Sequence, residues 1–350
     1  MRKTLFLITG LGQGGAEKFL TNVLPHLDTN KILVVSITGV DDRGPELESH
    51  GIRVKYLNTG KKFNPLRSIY RFYKIVKKFK PDVLFTLLIH ADIFGRIVGR
   101  LFGVHTIYCS IRNDYSKISK LWLIDKYSRW LVTRYIPNSK GLREYMEKIR
   151  VFEYLILPNG VNLKEIDKKS ATHYSIREEL NISSQEFVVC CNARLEKQKN
   201  HFALLEAFCN VEGHLILLND GAYRREIEMK IDELNLSKRV HVLGKRDDVI
   251  SILQESDVFV LASFTEGMSN ALLEAMAMSL PCVVSDIEQN NVLIKDENMR
   301  FKTSHELREK LLKLYEHPSL REKVGRENRK IIENEFDIQV IAKQLRKILK

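Results

Sequence analysis

Short, largely apolar runs recur along the chain and alternate with stretches of helical periodicity. In the first half they are TLFLIT (4–9), KILVVSIT (31–38), IRVKYL (52–57), DVLFTLL (82–88), HTIYCSI (105–111), YIPNS (135–139) and EYLILPN (153–159). In the second half they are FVVCCNARL (187–195), HLILLND (214–220), RVHVLG (239–244), VFVLASF (258–264) and PCVVSD (281–286). A strand with one face in water alternates apolar and polar residues, whereas a strand buried on both faces reads as continuously apolar. Helices are expected between these runs, near 15–27, 64–79, 92–102, 118–132 and 140–149, then near 200–210, 222–235, 247–254 and 270–279. From about Ser304 the chain is charged and helical throughout. Strands alternating with helices build parallel sheets covered on both sides, so the expected class is α/β. The 350 residues exceed what one core holds, about 250–300. Pro158-Asn159-Gly160 marks a turn near the midpoint, which places the hinge around 161–170 and the domains at 1–165 and 166–336.

The first run leads into Gly10-Leu11-Gly12-Gln13-Gly14-Gly15, the GxGxxG spacing between strand and helix. Such a loop lets backbone approach a phosphate and aims a helix N-terminus at it. A dinucleotide reader also needs an acid for the ribose about 20 residues on. Here Asp41 and Asp42 come late for that role, so three readings stand: NAD, another phosphate ligand, or a turn without a ligand.

The five cysteines show no metal-ligand spacing and sit in apolar surroundings, as reduced core thiols do. The run LFLITGLG is too short and glycine-broken for a signal peptide, and no apolar stretch approaches about 20 residues. A cytoplasmic chain is expected. Residues 1–165 hold 28 Lys and Arg against 14 Asp and Glu, net +14, so the whole chain's +12 leaves −2 for residues 166–350. The excess concentrates in NPLRSIYRFYKIVKKFK (64–80), where Leu66, Ile69, Tyr70, Tyr73, Ile75 and Val76 interleave with Arg67, Arg71, Lys74, Lys77 and Lys78. A basic amphipathic helix can lie on an anionic membrane, or pack in a core with its basic face in water. No nucleic-acid recognition module accompanies the charge.

Chemistry-bearing residues gather in the second half, after the apolar runs, where open α/β sheets bind ligands. In NARLEKQKNH, Arg194 and Lys199 follow a strand and precede a helix, so both can converge on one diphosphate. In FTEGMSNALLEAMA (264–277), Glu266 lies in a loop, Gly267 permits close backbone approach, and Ser269 or Asn270 can cap the helix that carries Glu274. Carboxylates suit vicinal diols, one for a ribose and one for a hexose. There is no Asp-x-Asp pair to hold a metal against a diphosphate, and Asp247-Asp248 look like the start of a helix.

Glu266-x7-Glu274 within EGMSNALLEAMA, RLEKQKN before it, PNGV (158–161) and GGAE (14–17) together resemble glycosyltransferase family 4 over nearly the whole chain. The resemblance implies the GT-B fold, two facing Rossmann-like domains with a cleft between them, the first completed by a last helix at about 337–350. It implies a retaining, metal-independent hexosyltransferase that needs no cofactor. A UDP- or GDP-linked sugar is the donor, and the acceptor is a glycan or polyprenyl-linked sugar of a bacterial capsule, O-antigen or lipopolysaccharide. Arg194 and Lys199 would hold the diphosphate and Glu274 the ribose. Glu266 and the backbone at Gly267, Met268, Ser269 and Asn270 would hold the sugar. The base would sit near Lys245-Arg246, Gly14 and Gly15 would face the diphosphate, and His90 would lie close to the anomeric centre. The glycine loop then serves a sugar nucleotide, not NAD. Work at the inner face of the cytoplasmic membrane, with the basic first domain on anionic lipid, follows from the same reading. Rival readings are an epimerase or phosphorylase on the same fold, or a binding protein on an inactive scaffold. The chain departs from the family pattern at Asn219-Asp220-Gly221 (often Gly-Asp-Gly), at Ser279 (often Gly), and in SDIEQNNVLIKDEN, which lacks the usual glycines.

Overall fold

The two sets of apolar runs form two parallel six-stranded sheets in the computed structural model, which describes residues 1–39, 41–58, 64–117, 120–170 and 175–350. The chain divides into two units, Met1–Gly160 with Ile338–Lys350, and Val161–Asp337.

The first unit contains strands β1 (Thr4–Ile8), β2 (Ile32–Ser36), β3 (Arg53–Tyr56), β4 (Val83–Leu87), β5 (Ile107–Ser110) and β6 (Arg134–Tyr135) in the order β3-β2-β1-β4-β5-β6. This is the doubly wound order with its switch point between β1 and β4. Its helices are α1 (Gly15–Val23), α2 (Gly44–Ser49), α3 (Pro65–Phe79), α4 (Ile89–Leu101), α5 (Trp122–Ser128), α6 (Arg143–Lys148) and, from the end of the chain, α16 (Ile338–Ile348). Successive β1 side chains point to opposite faces. Phe6 and Ile8 pack with α1 and α16, and Leu5 and Leu7 pack with residues of α3, α4 and α6. Both faces are therefore buried, which is why the run reads as unbroken apolar.

Three expectations need correction, and α3 bears on an alternative left open by the sequence. EYLILPN is not a strand: it meets β6 through one Tyr135–Tyr154 bridge and the bonds Leu155 N–H to Tyr135 and Leu157 N–H to Pro137. Pro137 and Pro158 have no N–H with which to extend that pairing. The helix expected from 92 begins at Ile89, directly after Leu88 turns the chain at φ 74°. The helix expected over 118–132 is shorter, Trp122–Ser128 followed by a 3-10 turn, and positions 118 and 119 lie outside the described residues. In α3 the apolar residues do not form one buried stripe: Phe72 and Val76 are buried, while Leu66, Tyr70 and Tyr73 are exposed.

A buried polar cluster ties α4, α5, β6 and α6 together. Asp125 accepts from Arg96 and Tyr135 through Oδ1 and from Tyr145 through Oδ2. Nearby Asp92, fully buried, accepts from Thr86 at 2.5 Å, and burial pushes its carboxyl up to about 8 despite Arg96. The folded state thus keeps a proton that the unfolded chain releases near pH 4. Stability should fall as pH rises from about 4 to about 8 and level off once folded Asp92 also ionises. The melting temperature of Asp92→Asn should lose less over that range than wild type. Parallel curves for the two proteins would contradict the assignment.

The second unit contains β7 (Val188–Asn192), β8 (His214–Leu218), β9 (Val240–Gly244), β10 (Val258–Leu261), β11 (Cys282–Ser285) and the two-residue β12 (Arg300–Phe301), ordered β12-β11-β10-β7-β8-β9. The doubly wound order repeats, with its switch point between β7 and β10. Its helices are α7 (Leu163–Ser170), α8 (Ile176–Glu179), α9 (His201–Phe208), α10 (Arg224–Glu233), α11 (Val249–Gln254), α12 (Asn270–Ala277), α13 (Glu288–Asn291), α14 (Ser304–Glu316) and α15 (Pro318–Ile331). Burial pushes the thiols of Cys190 and Cys191 on β7 up, that of Cys191 to about 12, and the chain's five cysteines are all free. Among the described residues no helix is long and apolar enough to cross a membrane.

Candidate active site

The switch point of the second sheet brings together two loops from neighbouring strands. The loop after β7 carries Arg194 and Lys199, and the loop after β10 carries Glu266. Three contacts join them. Lys199 Nζ donates to Glu266 Oε1 at 2.6 Å, the Phe264 N–H donates to the Gln198 carbonyl at 2.9 Å, and Gln198 Nε2 donates to the Thr265 carbonyl at 2.8 Å. The ion pair is nearly buried, with side chains 13% and 9% exposed. A pair so sheltered is screened little by water or salt.

The oxygen of Glu266 that meets Lys199 also accepts from Ser263 Oγ at 2.6 Å. Ser285, at the end of β11, donates to the Ser263 carbonyl at 2.6 Å, and Asn290 Nδ2 bonds Ser285 at 3.1 Å. Three adjacent strand ends thereby fix one carboxylate. Sequence reasoning missed Ser263, Ser285 and Asn290. The available signal was a serine closing each of two consecutive apolar runs, VFVLAS and CVVS.

Lys199 has two further donors beyond the one given to Glu266. Beneath it His201 begins α9, and burial together with the Lys199 charge pushes its imidazole down to about 4, so it is neutral at pH 7. Arg194 is 65% exposed and pairs with Glu196 at 2.7 Å. Its backbone is braced by the loop after β8: the Leu195 N–H donates to Asp220, and the Tyr223 N–H to Leu195. A Cβ on Gly221 would stand 2.3 Å from the Leu195 carbonyl oxygen, so glycine is required there. Asn219 and Ser279, the two departures from glycine, both take left-handed backbone, with φ 81° and 60°. Asparagine tolerates that conformation, and serine is strained in it.

Ser269 caps α12, its hydroxyl accepting from the Leu272 N–H. Met268 is buried, Gly267 and Asn270 are half-buried, and Glu274 is buried on α12. Arg246, after β9, is not a free cation: it holds Asp248 and Glu179 of α8 with paired bonds of 2.7–3.1 Å, which hold its guanidinium well above the usual arginine range.

In the first unit, Gly14 is the N-cap of α1 and Gly15 its first residue. The Glu17 carboxylate curls back over this helix end, so that a Cβ on Gly14 would meet its Oε2 at 2.4 Å, and burial pushes Glu17 up. His90 is exposed in the first turn of α4, at the carboxyl end of β4. Among the described residues no three His, Cys, Asp or Glu side chains cluster as metal ligands would.

Two doubly wound sheets define the two-domain GT-B class. The Anabaena protein HepE, in a crystal structure with UDP and glucose, superposes with a TM-score of 0.89 over 100% of this chain and 99% of its own, at 20% identity. Residues 13–165 match the family model of Glycosyltransferase Family 4, and residues 174–331 match that of Glycosyl transferases group 1. The chain belongs to this glycosyltransferase family. The UDP-Gal:alpha-D-GlcNAc-diphosphoundecaprenol alpha-1,3-galactosyltransferase of Escherichia coli is 32% identical over 66% of this chain and 65% of its own length. A Campylobacter jejuni enzyme, an N-acetylgalactosaminyltransferase acting on a diphospho-undecaprenol-linked disaccharide, is 25% identical over 82% of this chain and 81% of its own.

Proposed function

We propose that the protein transfers a hexose, with retention of anomeric configuration, from a nucleoside-diphosphate sugar to a polyprenyl-diphosphate-linked glycan during bacterial surface polysaccharide assembly. The observation that carries this reading is the Lys199–Glu266 pair at the switch point of the second sheet, with Arg194 on the same loop as Lys199. A diphosphate arriving there meets two cations and the N-terminal end of the α9 segment. UDP is the favoured donor over GDP, because the Escherichia coli relative is named for UDP-Gal and the Anabaena structure holds UDP. The same relative and the Campylobacter jejuni enzyme are named for undecaprenol-linked acceptors, which supports a polyprenyl-diphosphate-linked acceptor here.

The acceptor hydroxyl attacks the anomeric carbon from the face that the nucleotide leaves. The bond from that carbon to the β-phosphate oxygen breaks as the new glycosidic bond forms, and the departing phosphate takes the hydroxyl proton. Lys199 and Arg194 stabilise the charge building on that phosphate. Glu266 and the backbone from Gly267 to Asn270 hold the sugar, and Glu274 holds the ribose. Gly14 and Gly15 are assigned to the diphosphate, and His90 to the anomeric end, on the family resemblance alone. Two cations supply the charge compensation, so no metal or cofactor takes part.

Transfer from a panel of UDP- and GDP-sugars, with and without EDTA, tests this directly. Turnover should survive chelation, and proton NMR of the product should show the donor's anomeric configuration. Loss of activity in EDTA with recovery in magnesium or manganese would contradict the charge balance, and an inverted product the mechanism.

A further inference from the structure

Among the described residues, most of the large apolar side chains left in water belong to the first unit. All of these but Phe152 and Leu155 fall on three neighbouring helical segments. On α3 they are Leu66, Tyr70 and Tyr73, spaced i, i+4, i+7 on one side of the helix. On α4, Leu101 is 75% exposed, and in the α5 segment Tyr127 and Trp130 are 71% and 76% exposed. These segments are stitched side by side. The Tyr73 ring meets Phe102 edge-on at 5.1 Å, beside Leu101, and Arg100 Nε donates to the Leu131 carbonyl at 3.0 Å, beside Trp130.

Charge on this face is predominantly positive, with exposed Asp82, beside Tyr73, Lys77 and Phe102, as the carboxylate at its edge. The only carboxylates in residues 64–80, 89–102 and 120–135 are Asp92 and Asp125, and both are fully buried. Every lysine and arginine of those stretches reaches solvent except Arg96. Basic and aromatic groups are interleaved: Lys74 stands over Tyr70 at 4.5 Å, Lys77 over Tyr73 at 5.6 Å, and Lys126 over Tyr127 at 5.9 Å.

We propose that the outer face of α3, α4 and the α5 segment is a docking surface for an anionic lipid bilayer, with Trp130, Tyr127 and Leu101 entering the interface and the surrounding bases meeting headgroup phosphates. Tyrosine and tryptophan favour the membrane–water boundary, because one part of each ring system is apolar and another is polar. Lysine and arginine near an anionic surface each add attraction. A second copy of this chain is the poorer occupant, since a two-fold contact would press the same basic face against itself. The proposal deepens the reading of a membrane-borne acceptor and moves the contact from α3 alone to a three-helix face.

Vesicle flotation tests it without turnover. The chain has two tryptophans, Trp122 and Trp130, so Trp122→Phe leaves Trp130 as the sole indole probe. The protein should float with phosphatidylglycerol-containing vesicles at low salt and not with phosphatidylcholine alone. Trp130 emission should shift to the blue and be quenched by brominated lipid. Replacing Arg67, Lys74 and Lys77 by Gln should weaken partition by about 10²-fold, at about tenfold or somewhat less per base. Trp130→Ser should weaken it by about tenfold. All four positions are exposed, so melting temperatures should stay unchanged. The proposal is overturned if wild type ignores anionic vesicles at low salt or if Trp130 emission does not respond to them. It is equally overturned if the variants float like wild type, if Trp130→Ser instead abolishes a dimer, or if the face binds single-stranded RNA while ignoring vesicles. Failure here would leave sugar transfer to a soluble acceptor analogue intact, whereas failure of the transferase reading would leave flotation intact.

Discussion

Replacing Lys199 by Ala is expected to lower kcat/KM for sugar transfer by about 10²–10³, the cost of removing one preorganised donor from a developing anion. Arg194→Ala should act in the same direction and less strongly. Arg194 is 65% exposed, so water already screens its field, whereas Lys199 acts from a sheltered position. Loss of Lys199 also leaves Glu266 nearly buried with Ser263 as its remaining partner among these contacts. A lower melting temperature should therefore accompany the kinetic loss. Lys199→Arg should recover both in part, because it restores the charge and the ion pair. Steady-state kinetics beside thermal denaturation decide the matter, and near-wild-type turnover in both alanine variants would contradict the assignment.

The second large effect divides the two acids. Glu274→Ala should weaken binding of free nucleoside diphosphate by about 10–100-fold, the loss of a hydrogen bond to a charged group. Glu266→Gln should cut turnover strongly while leaving that affinity unchanged or raised. The direction follows from the 2.6 Å contact: Glu266 shares Lys199 with any incoming diphosphate, so neutralising Glu266 frees the lysine for phosphate. Calorimetry with the nucleoside diphosphate alone reads the first effect, and turnover reads the second. Equal losses of affinity in both variants would contradict the division.

The fold was legible in the sequence because the chemistry of burial leaves a one-dimensional trace. Strands such as FVVCC must be apolar on both faces when helices cover both sides, and that run stands out wherever it begins. Two-residue β12 leaves no such trace, since Arg300 and Phe301 alternate like any loop dipeptide. EYLILPN misled for the opposite reason: its residues are apolar enough for a strand, but Pro158 within it and Pro137 on the neighbouring segment lack the N–H that regular pairing needs. Buried carboxylates were also invisible. Nothing in the residues around Asp92 and Asp125 marks them as buried, and only packing shows that they sit in the interior with Arg96.

At the site, the sequence placed Arg194, Lys199 and Glu266 on loops after strands, and spacing could go no further. That Lys199 and Glu266 touch depends on β7 and β10 being neighbours, which is a property of strand order and not of local pattern. The partners of Arg246 were hidden likewise, because Glu179 lies far from it in sequence. Asn219 and Ser279 show the reverse case. Their left-handed backbone explains why glycine suits those turns, a point that residue identity alone left open.

The central claim is that the switch point of the second sheet holds a sugar nucleotide for transfer through Lys199. It is tested most directly by following radiolabelled sugar from a panel of UDP- and GDP-sugars into a polyprenyl-diphosphate-linked acceptor, with wild type and Lys199→Ala side by side. The account predicts that wild type moves label from one donor into the lipid fraction and releases the nucleoside diphosphate in equal amount, and that Lys199→Ala does so about 10²–10³ times less efficiently. Label that stays on the nucleotide across the whole panel with wild type, or that moves equally well with both proteins, would contradict it.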